Sequence, residues 1–189
     1  MDKIRRIKRE LKYTGSILKM YSDTMEFPNG NTAEWDLISH KGAAAVVAVK
    51  ENGKLLMVRQ YRNALERETV ELPAGAKDYP EEESSACAAR ELEEETGYKC
   101  ENLRFLISIY TTVAFCNEKI DIFLARDLIP SHQHLDENEF LNVEEWELSD
   151  LVRMIYEGKL QDGKTVAAIL AYQNLLHSSE EFSAPKENG

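Results

Sequence analysis

Apolar positions along this chain change their spacing several times, and each change predicts a different element. In residues 1–12, Ile4, Ile7 and Leu11 stand three and four apart among basic residues. That is the spacing of one helix face, so a short surface helix is predicted, with a basic peptide that docks on an acidic partner as the other reading. From 13 to 39 the pattern shortens. Residues 13–22 and 24–27 read as strands, Pro28-Asn29-Gly30-Asn31 as a turn, and 32–39, with Trp35 in it, as a returning arm. A meander this small cannot bury a core alone. Residues 42–50 and 54–59 are unbroken small and β-branched runs on either side of Asn52-Gly53, which predicts a hairpin of central strands. Further strands are predicted at 69–72, 103–110, 120–125 and 140–147. Residues 148–158 and 164–177 return to helical spacing, with Ser149 and Asp150 as candidate N-caps of the first. From residue 178 the chain reads as a polar tail.

Candidate chemistry concentrates in residues 74–98, AGAKDYPEEESSACAARELEEETGY. Glu91, Glu94 and Glu95 fall three and four apart, so a helix would gather their carboxylates on one face. Like charges at that spacing cost roughly 0.2–0.5 kcal/mol each. Clustered carboxylates are instead what a hard divalent cation takes as ligands, with room left for water and phosphate oxygens. Arg90 can pair with Glu94 one turn on, or with Glu82 if the loop folds back, and Gly97 suits a left-handed helix end. An ordinary solvated acidic helix is the competing reading, and Gly75, Arg90 and Gly97 weigh against it.

These residues resemble the Nudix box: a glycine, five residues, a glutamate, seven residues, then R-E-U-x-E-E-x-G-U with U bulky and apolar. Arg90 to Tyr98 match every fixed position of the second half, and Glu82 stands where the pattern asks. Six residues rather than five separate Gly75 from Glu82, an insertion that a surface loop can absorb. The resemblance implies an α/β fold, an α/β/α sandwich around a mixed sheet, over residues 41–177. It also implies that residues 1–40 form an N-terminal extension, a helix and a small antiparallel sheet, serving dimerisation and base binding, with 178–189 a disordered tail. It implies roughly two or three Mg²⁺ or Mn²⁺ ions on Glu91, Glu94, Glu95 and the Ala74 carbonyl. Glu82 and Arg90 would orient the helix behind them.

The resemblance is to the ADP-ribose pyrophosphatase branch in particular. By that likeness Arg62, then Arg59, in Arg59-Gln60-Tyr61-Arg62 would hold the substrate's phosphates, whose planar oxygens suit a guanidinium fork. Solvated strand-end charges are their plainer reading. Trp35 would stack on the base, or simply pack. Glu139, with Glu137 as the fallback, would take the proton of the attacking water, and Glu118 matches a polar position of a substrate loop. The chain departs from the branch where Thr112-Val113-Ala114 replaces its Ser-Pro-Gly. The implied reaction is hydrolysis of a nucleoside diphosphate sugar, ADP-ribose first, with GDP-mannose or another nucleotide sugar as the alternative. A non-catalytic ADP-ribose-binding sensor is the reading from a different class.

Composition narrows this further. A formal charge of −11 argues against nucleic acid as a partner, since nothing neutralises a phosphate backbone. No run approaches the roughly 18 apolar residues of a membrane span. Three cysteines without ligand spacing read as reduced thiols, hence a cytoplasmic protein. His132-x-His134 lacks a third ligand and reads as part of a solvated loop.

Overall fold

The computed structural model describes residues 3–178, so the tail expected from residue 178 lies, beyond Ser178 itself, outside the described residues. Contacts divide the chain into two units: Met1–Gly42 with Tyr110–Lys119, and Ala43–Ile109 with Ile120–Gly189. The segment that joins the N-terminal unit from the far side of the sequence was not visible in residue patterns.

The N-terminal unit is an antiparallel sheet of β1 (Arg5–Thr14), β2 (Lys19–Glu26) and β3 (Thr32–Ser39), in that order. The helix expected over residues 1–12 is therefore corrected to a strand. Its register slips between Arg6 and Lys8 and again between Leu11 and Tyr13, each slip adding one residue to β1. The step of four from Ile7 to Leu11 is plain strand alternation, and the extra residue at the first slip allows the odd step of three before it, so the run mimics a helix face. Cross-strand ion pairs favour the strand. Arg9 Nε and Nη2 donate to the two oxygens of Asp23 at 2.6 and 2.5 Å, and Arg5 meets Glu26. The segment after Tyr110 adds to this unit through Ile38, whose N–H donates to the Phe115 carbonyl at 2.7 Å. Ile4, Ile7, Leu11, Tyr13 and Ile17 are each about half exposed or more.

The second unit is built on β4 (Ala43–Val49), β5 (Leu55–Arg62), β6 (Arg67–Glu71), β7 (Ala74–Ala76), α1 (Ser84–Thr96), β8 (Tyr98–Lys99), β9 (Arg104–Tyr110), β10 (Lys119–Ala125), β11 (Ile129–Pro130), β12 (Leu141–Trp146), α2 (Leu148–Tyr156) and α3 (Gly163–His177). Its main sheet runs β12-β5-β4-β10-β9; β6 pairs with β5, and β7 with β4. β10 lies parallel to β4 while β5 and β7 lie antiparallel to it, so the sheet is mixed as expected. β8 and β11 form a separate short pair.

Strand β4 shows how the sequence makes three layers. Its side chains alternate between faces. Ala43, Ala45, Val47 and Val49 enter one core with Leu151 of α2 and Ala168, Ile169 and Tyr172 of α3. Ala44, Val46 and Ala48 enter another with Cys87, Ala88 and Leu92 of α1. A strand buried on both faces must be apolar throughout, which is why the run lacks polar residues. Leu55, Leu92 and Leu151 are fully buried, and each contributes roughly 1.5–3 kcal/mol.

Near the hairpin, β4 and β5 pair directly, Ala48 with Leu56 and Val49 with Leu55. Farther on each takes a new partner: Val58 of β5 faces Glu71 of β6, and Ala45 of β4 faces Ala74 of β7. Leu72-Pro73 crosses the gap, with the Pro73 carbonyl accepting from Val46 N–H at 2.9 Å. At this divergence β6 and β7 join the sheet on either side of the crossing. Helix α2 begins at Leu148, with Glu147 as N-cap and no side-chain capping bond, so Ser149 and Asp150 are not caps. Asp150 instead places its charge in the first turn, near the positive end of the helix dipole.

Candidate active site

Helix α1 lays Glu91 and Glu95 along β7. Glu95 is 2% exposed, and its Oε2 accepts from Ala74 N–H at 2.8 Å. Glu91 is also buried, and it abuts Gly75: a methyl carbon built there would stand 2.1 Å from Glu91 Cδ. No side chain at residue 75 could share that space. The helix then ends as its sequence demands, at Gly97 with φ 72°, donating to the Glu93 carbonyl at 2.8 Å.

Arg90 binds the inserted loop to this helix. Its Nη1 donates to Glu91 Oε1 at 2.7 Å and Glu94 Oε2 at 3.0 Å, and its Nη2 to the Ala76 carbonyl at 3.1 Å. Nε, buried without a hydrogen bond, lies 3.5 Å from Glu82 Oε1. The other Glu82 oxygen accepts from Asp78 N–H at 2.7 Å. With the extra residue before it, Glu82 still reaches both the loop and Arg90, and Gly75 still lies against Glu91.

Burial pushes the Glu91 carboxyl up to about 7, and Glu94 and Glu139 add to the push. Burial raises Glu95 to about 8 against the Ala74 hydrogen bond, again with help from Glu91 and Glu139. Arg90 works against the rise at Glu91, but burial outweighs it; buried oxygen donors of this kind fit a hard divalent cation. Among the described residues, though, no three acidic, His or Cys side chains stand in ligand arrangement. Glu91 and Glu94 are turned to Arg90, and Ala74 meets Glu95 through its N–H. A cation here would require those two side chains to turn from Arg90.

Glu139 reaches the cluster electrostatically from the loop before β12, whereas Glu137 does not figure in either shift. The start of that loop is fastened to the end of α1. Ser131 N–H donates to the Gly97 carbonyl at 2.7 Å and His134 N–H to that of Glu94 at 2.9 Å. Gln133 Nε2 donates to the Glu95 carbonyl at 2.6 Å.

The two arginines part company. Arg62 grips Glu71 with Nε and Nη2 at 2.7 and 2.6 Å, and also feels the charges of Asp162 and Glu95. Arg59 grips Glu144 of β12 at 2.5 and 3.0 Å. Arg62, unlike Arg59, feels the charge of Glu95 on α1. Trp35 and Glu118 belong to the N-terminal unit. There Trp35 is 47% exposed with its ring edge-on to Phe27 at 6.0 Å, and Glu118 Oε1 lies 3.3 Å from His40 Nδ1.

Sequence reasoning missed Glu71 and its surroundings. This carboxylate is 2% exposed and accepts from Arg62, Thr69 Oγ1 and Lys164 Nζ. The available signal was an acidic residue inside the apolar run Val70-Glu71-Leu72. Asp121, a buried acid of β10 that accepts from Ser84 Oγ at 2.6 Å and Ser108 Oγ at 2.7 Å, was missed for the same reason.

The family model for the NUDIX domain matches residues 39–169. This chain belongs to the Nudix family. Over 165 residues, 86% of this Nudix chain and 89% of each relative, it is 40% identical to a methanol dehydrogenase activator of Bacillus methanolicus and 39% identical to an ADP-ribose pyrophosphatase of Bacillus subtilis (strain 168). The crystal structure of an ADP compounds hydrolase superposes with a TM-score of 0.82, covering 94% of this chain and 96% of that one at 23% identity, which establishes the common fold.

The Nudix carboxylates set an expectation for stability against pH. Glu91 and Glu95 are raised from an ordinary 4.5, so their contribution is fully present below that value and is lost as pH rises through about 7 and 8. Glu71 is lowered to about 2: burial opposes the shift, but Arg62 and Lys164 outweigh it. Its contribution, on the order of 3 kcal/mol, is present above 4.5 and lost as pH falls toward 2. The Tm of the metal-free protein should therefore peak near about pH 5. Calorimetry in a chelator would show this, and a Tm level from about pH 5 to pH 8 would contradict it.

Proposed function

We propose that this Nudix hydrolase cleaves the diphosphate of a nucleoside diphosphate sugar, with ADP-ribose giving AMP and ribose 5-phosphate as the leading substrate. The buried pair Glu91 and Glu95 on α1, set against Gly75 and Ala74 of β7, carries the reading, and the likeness to an ADP-ribose pyrophosphatase directs the choice of substrate. Bound Mg²⁺ or Mn²⁺, roughly two or three ions, would neutralise the diphosphate and activate a water. Glu91, Glu94 and Glu95, with the Ala74 carbonyl, are the residues that would hold them. Arg90 and Glu82 fix the loop against the helix. Arg62 orients the phosphates, with Arg59 as the second choice. Glu139, on its tethered loop, receives the proton of the water.

Trp35 is proposed to stack on the base, its half-exposed ring supporting this, and Glu118 to contact substrate. The exposed apolar residues of β1 fit a face covered by a second copy of the chain, in keeping with a homodimer. Light scattering at the mass of one chain would refute that. Among the described residues no helix is long and apolar enough to cross a membrane. From the formal charge of −11 and three cysteines without ligand spacing we propose a cytoplasmic enzyme that acts on a small nucleotide rather than on nucleic acid or a membrane.

The deciding experiment is phosphate-coupled turnover of a nucleotide-sugar panel with Mg²⁺. ADP-ribose should lead, and chelation should abolish the activity. A preference for GDP-mannose would keep the chemistry and assign the difference to the Thr112-Val113-Ala114 segment, where Val113 is 84% exposed. Tight ADP-ribose binding without turnover would replace the enzyme by a sensor.

A further inference from the structure

The start of α3 is fastened to the end of β6 and the crossing after it by bonds that no part of the Nudix box supplies. Asp162 caps the helix, its Oδ2 accepting from Thr165 N–H at 3.1 Å and Thr165 Oγ1 at 2.6 Å. Thr165 Oγ1, fully buried, accepts from Leu72 N–H at 3.0 Å, which pins the crossing between β6 and β7. Lys164, between those two residues, sends its ammonium to Glu71 and, at 2.9 Å, to Asp162 Oδ2. Its side chain is 10% exposed, and that of Glu71 is 3%.

Glu71 thus faces two cations of different character. Lys164 is buried and held from both sides by carboxylates. Arg62 is 42% exposed, and two of its N–H groups go to Glu71, which leaves the rest of the fork for a ligand. A buried carboxylate stripped of its partner is costly. If Arg62 alone neutralised Glu71, every movement of Arg62 toward substrate would strand that charge. With Lys164 and Thr69 in place, Glu71 stays satisfied while Arg62 shares itself with incoming oxygens. The same ammonium keeps Glu71 from rotating, and so fixes the plane in which Arg62 presents its fork.

We propose that Lys164 is the positioning residue for the diphosphate-binding arginine: locked by Asp162 at the start of α3, it holds Glu71 and through it sets Arg62. This rests on the reading of Arg62 as a phosphate ligand given above. Lys164 itself is too enclosed, and too engaged by carboxylates, to serve as that ligand.

The test is a double-mutant cycle on full-length protein with Lys164→Met, Arg62→Ala and the pair, reading ADP affinity by calorimetry with Mg²⁺ and KM and kcat on the best nucleotide sugar. Lys164→Met should weaken ADP binding and raise KM by about tenfold, with kcat moving far less. Lys164→Arg should restore most of the loss. In the Arg62→Ala background, Lys164→Met should add almost nothing. Should the Met variant be insoluble, Lys164→Gln, which still donates to Glu71, should show a smaller rise in KM. A lowered Tm with ADP affinity and KM unchanged, or losses that multiply in the double variant, would overturn the proposal. Coupling in ADP affinity without turnover of any nucleotide sugar would count against the proposed reaction and leave the coupling standing.

Discussion

Glu95→Gln is expected to lower hydrolysis on the order of a thousandfold and, at the same time, to raise the Tm of the metal-free protein. The two effects have one cause. Glu95 is 2% exposed, and burial lifts its carboxyl to about 8. At pH 7 the unfolded chain holds this group ionised while the folded chain must keep it largely protonated. Folding therefore gives up up to about 3 kcal/mol that a neutral side chain would not. Glutamine is neutral, nearly isosteric, and can still accept from Ala74 N–H, so the variant should melt several degrees higher in a chelator. Added Mg²⁺ should reverse the order. The wild type gains stability because a cation binds its folded form, while the variant, short of a charged ligand, gains little. Melting curves of both proteins with and without Mg²⁺ would decide. A metal-free variant less stable than wild type would show that the Glu95 charge is neutralised by something other than a cation.

How far the sequence foretold the site follows the distance over which each contact acts. The carboxylate face of α1, its end at Gly97 and the pairing of Arg90 with Glu94 are contacts within a few residues, and helical spacing exposes them. The hairpin of β4 and β5 was equally legible, because a strand buried on both faces has to be apolar throughout. The partners of Arg62 were not. Glu71 lies nine residues away, and Lys164 stands 93 residues from Glu71. No local pattern links a charge in a buried strand to a lysine in the first turn of a distant helix. The strand β1 failed for another reason: register slips disguised its alternation, and the cross-strand ion pairs that hold it are invisible until β2 is in place. The extra loop residue before Glu82 alters a motif length, yet Arg90 still gathers Glu82, Ala76, Glu91 and Glu94 around one guanidinium.

Gly75→Ala should be nearly silent in stability and severe in activity. The added methyl would lie 2.1–2.2 Å from three atoms of the Glu91 carboxyl, and Gly75 is not among the residues with positive φ. Backbone strain is therefore not the issue. The obstruction is the far end of a flexible side chain, bonded to Arg90 at 2.7 Å, which can turn aside by rotating about its own bonds. Moving Glu91 costs little in folding, and it relieves some of the burial that pushes its carboxyl up to about 7. It does, however, remove one carboxylate from the place where α1 meets β7, beside Glu95. Turnover should fall on the order of a hundredfold or more, with the Mg²⁺ concentration needed for half activity rising and the metal-free Tm within a few degrees of wild type. Glu91→Gln should match this variant in activity, because on the proposed reading both take the same metal ligand away. If Gly75→Ala instead unfolds the protein, the contact between β7 and α1 is rigid, and the glycine serves packing rather than the placement of Glu91. If it keeps full activity, Glu91 has room to return, and the metal-type cluster does not depend on its position against β7.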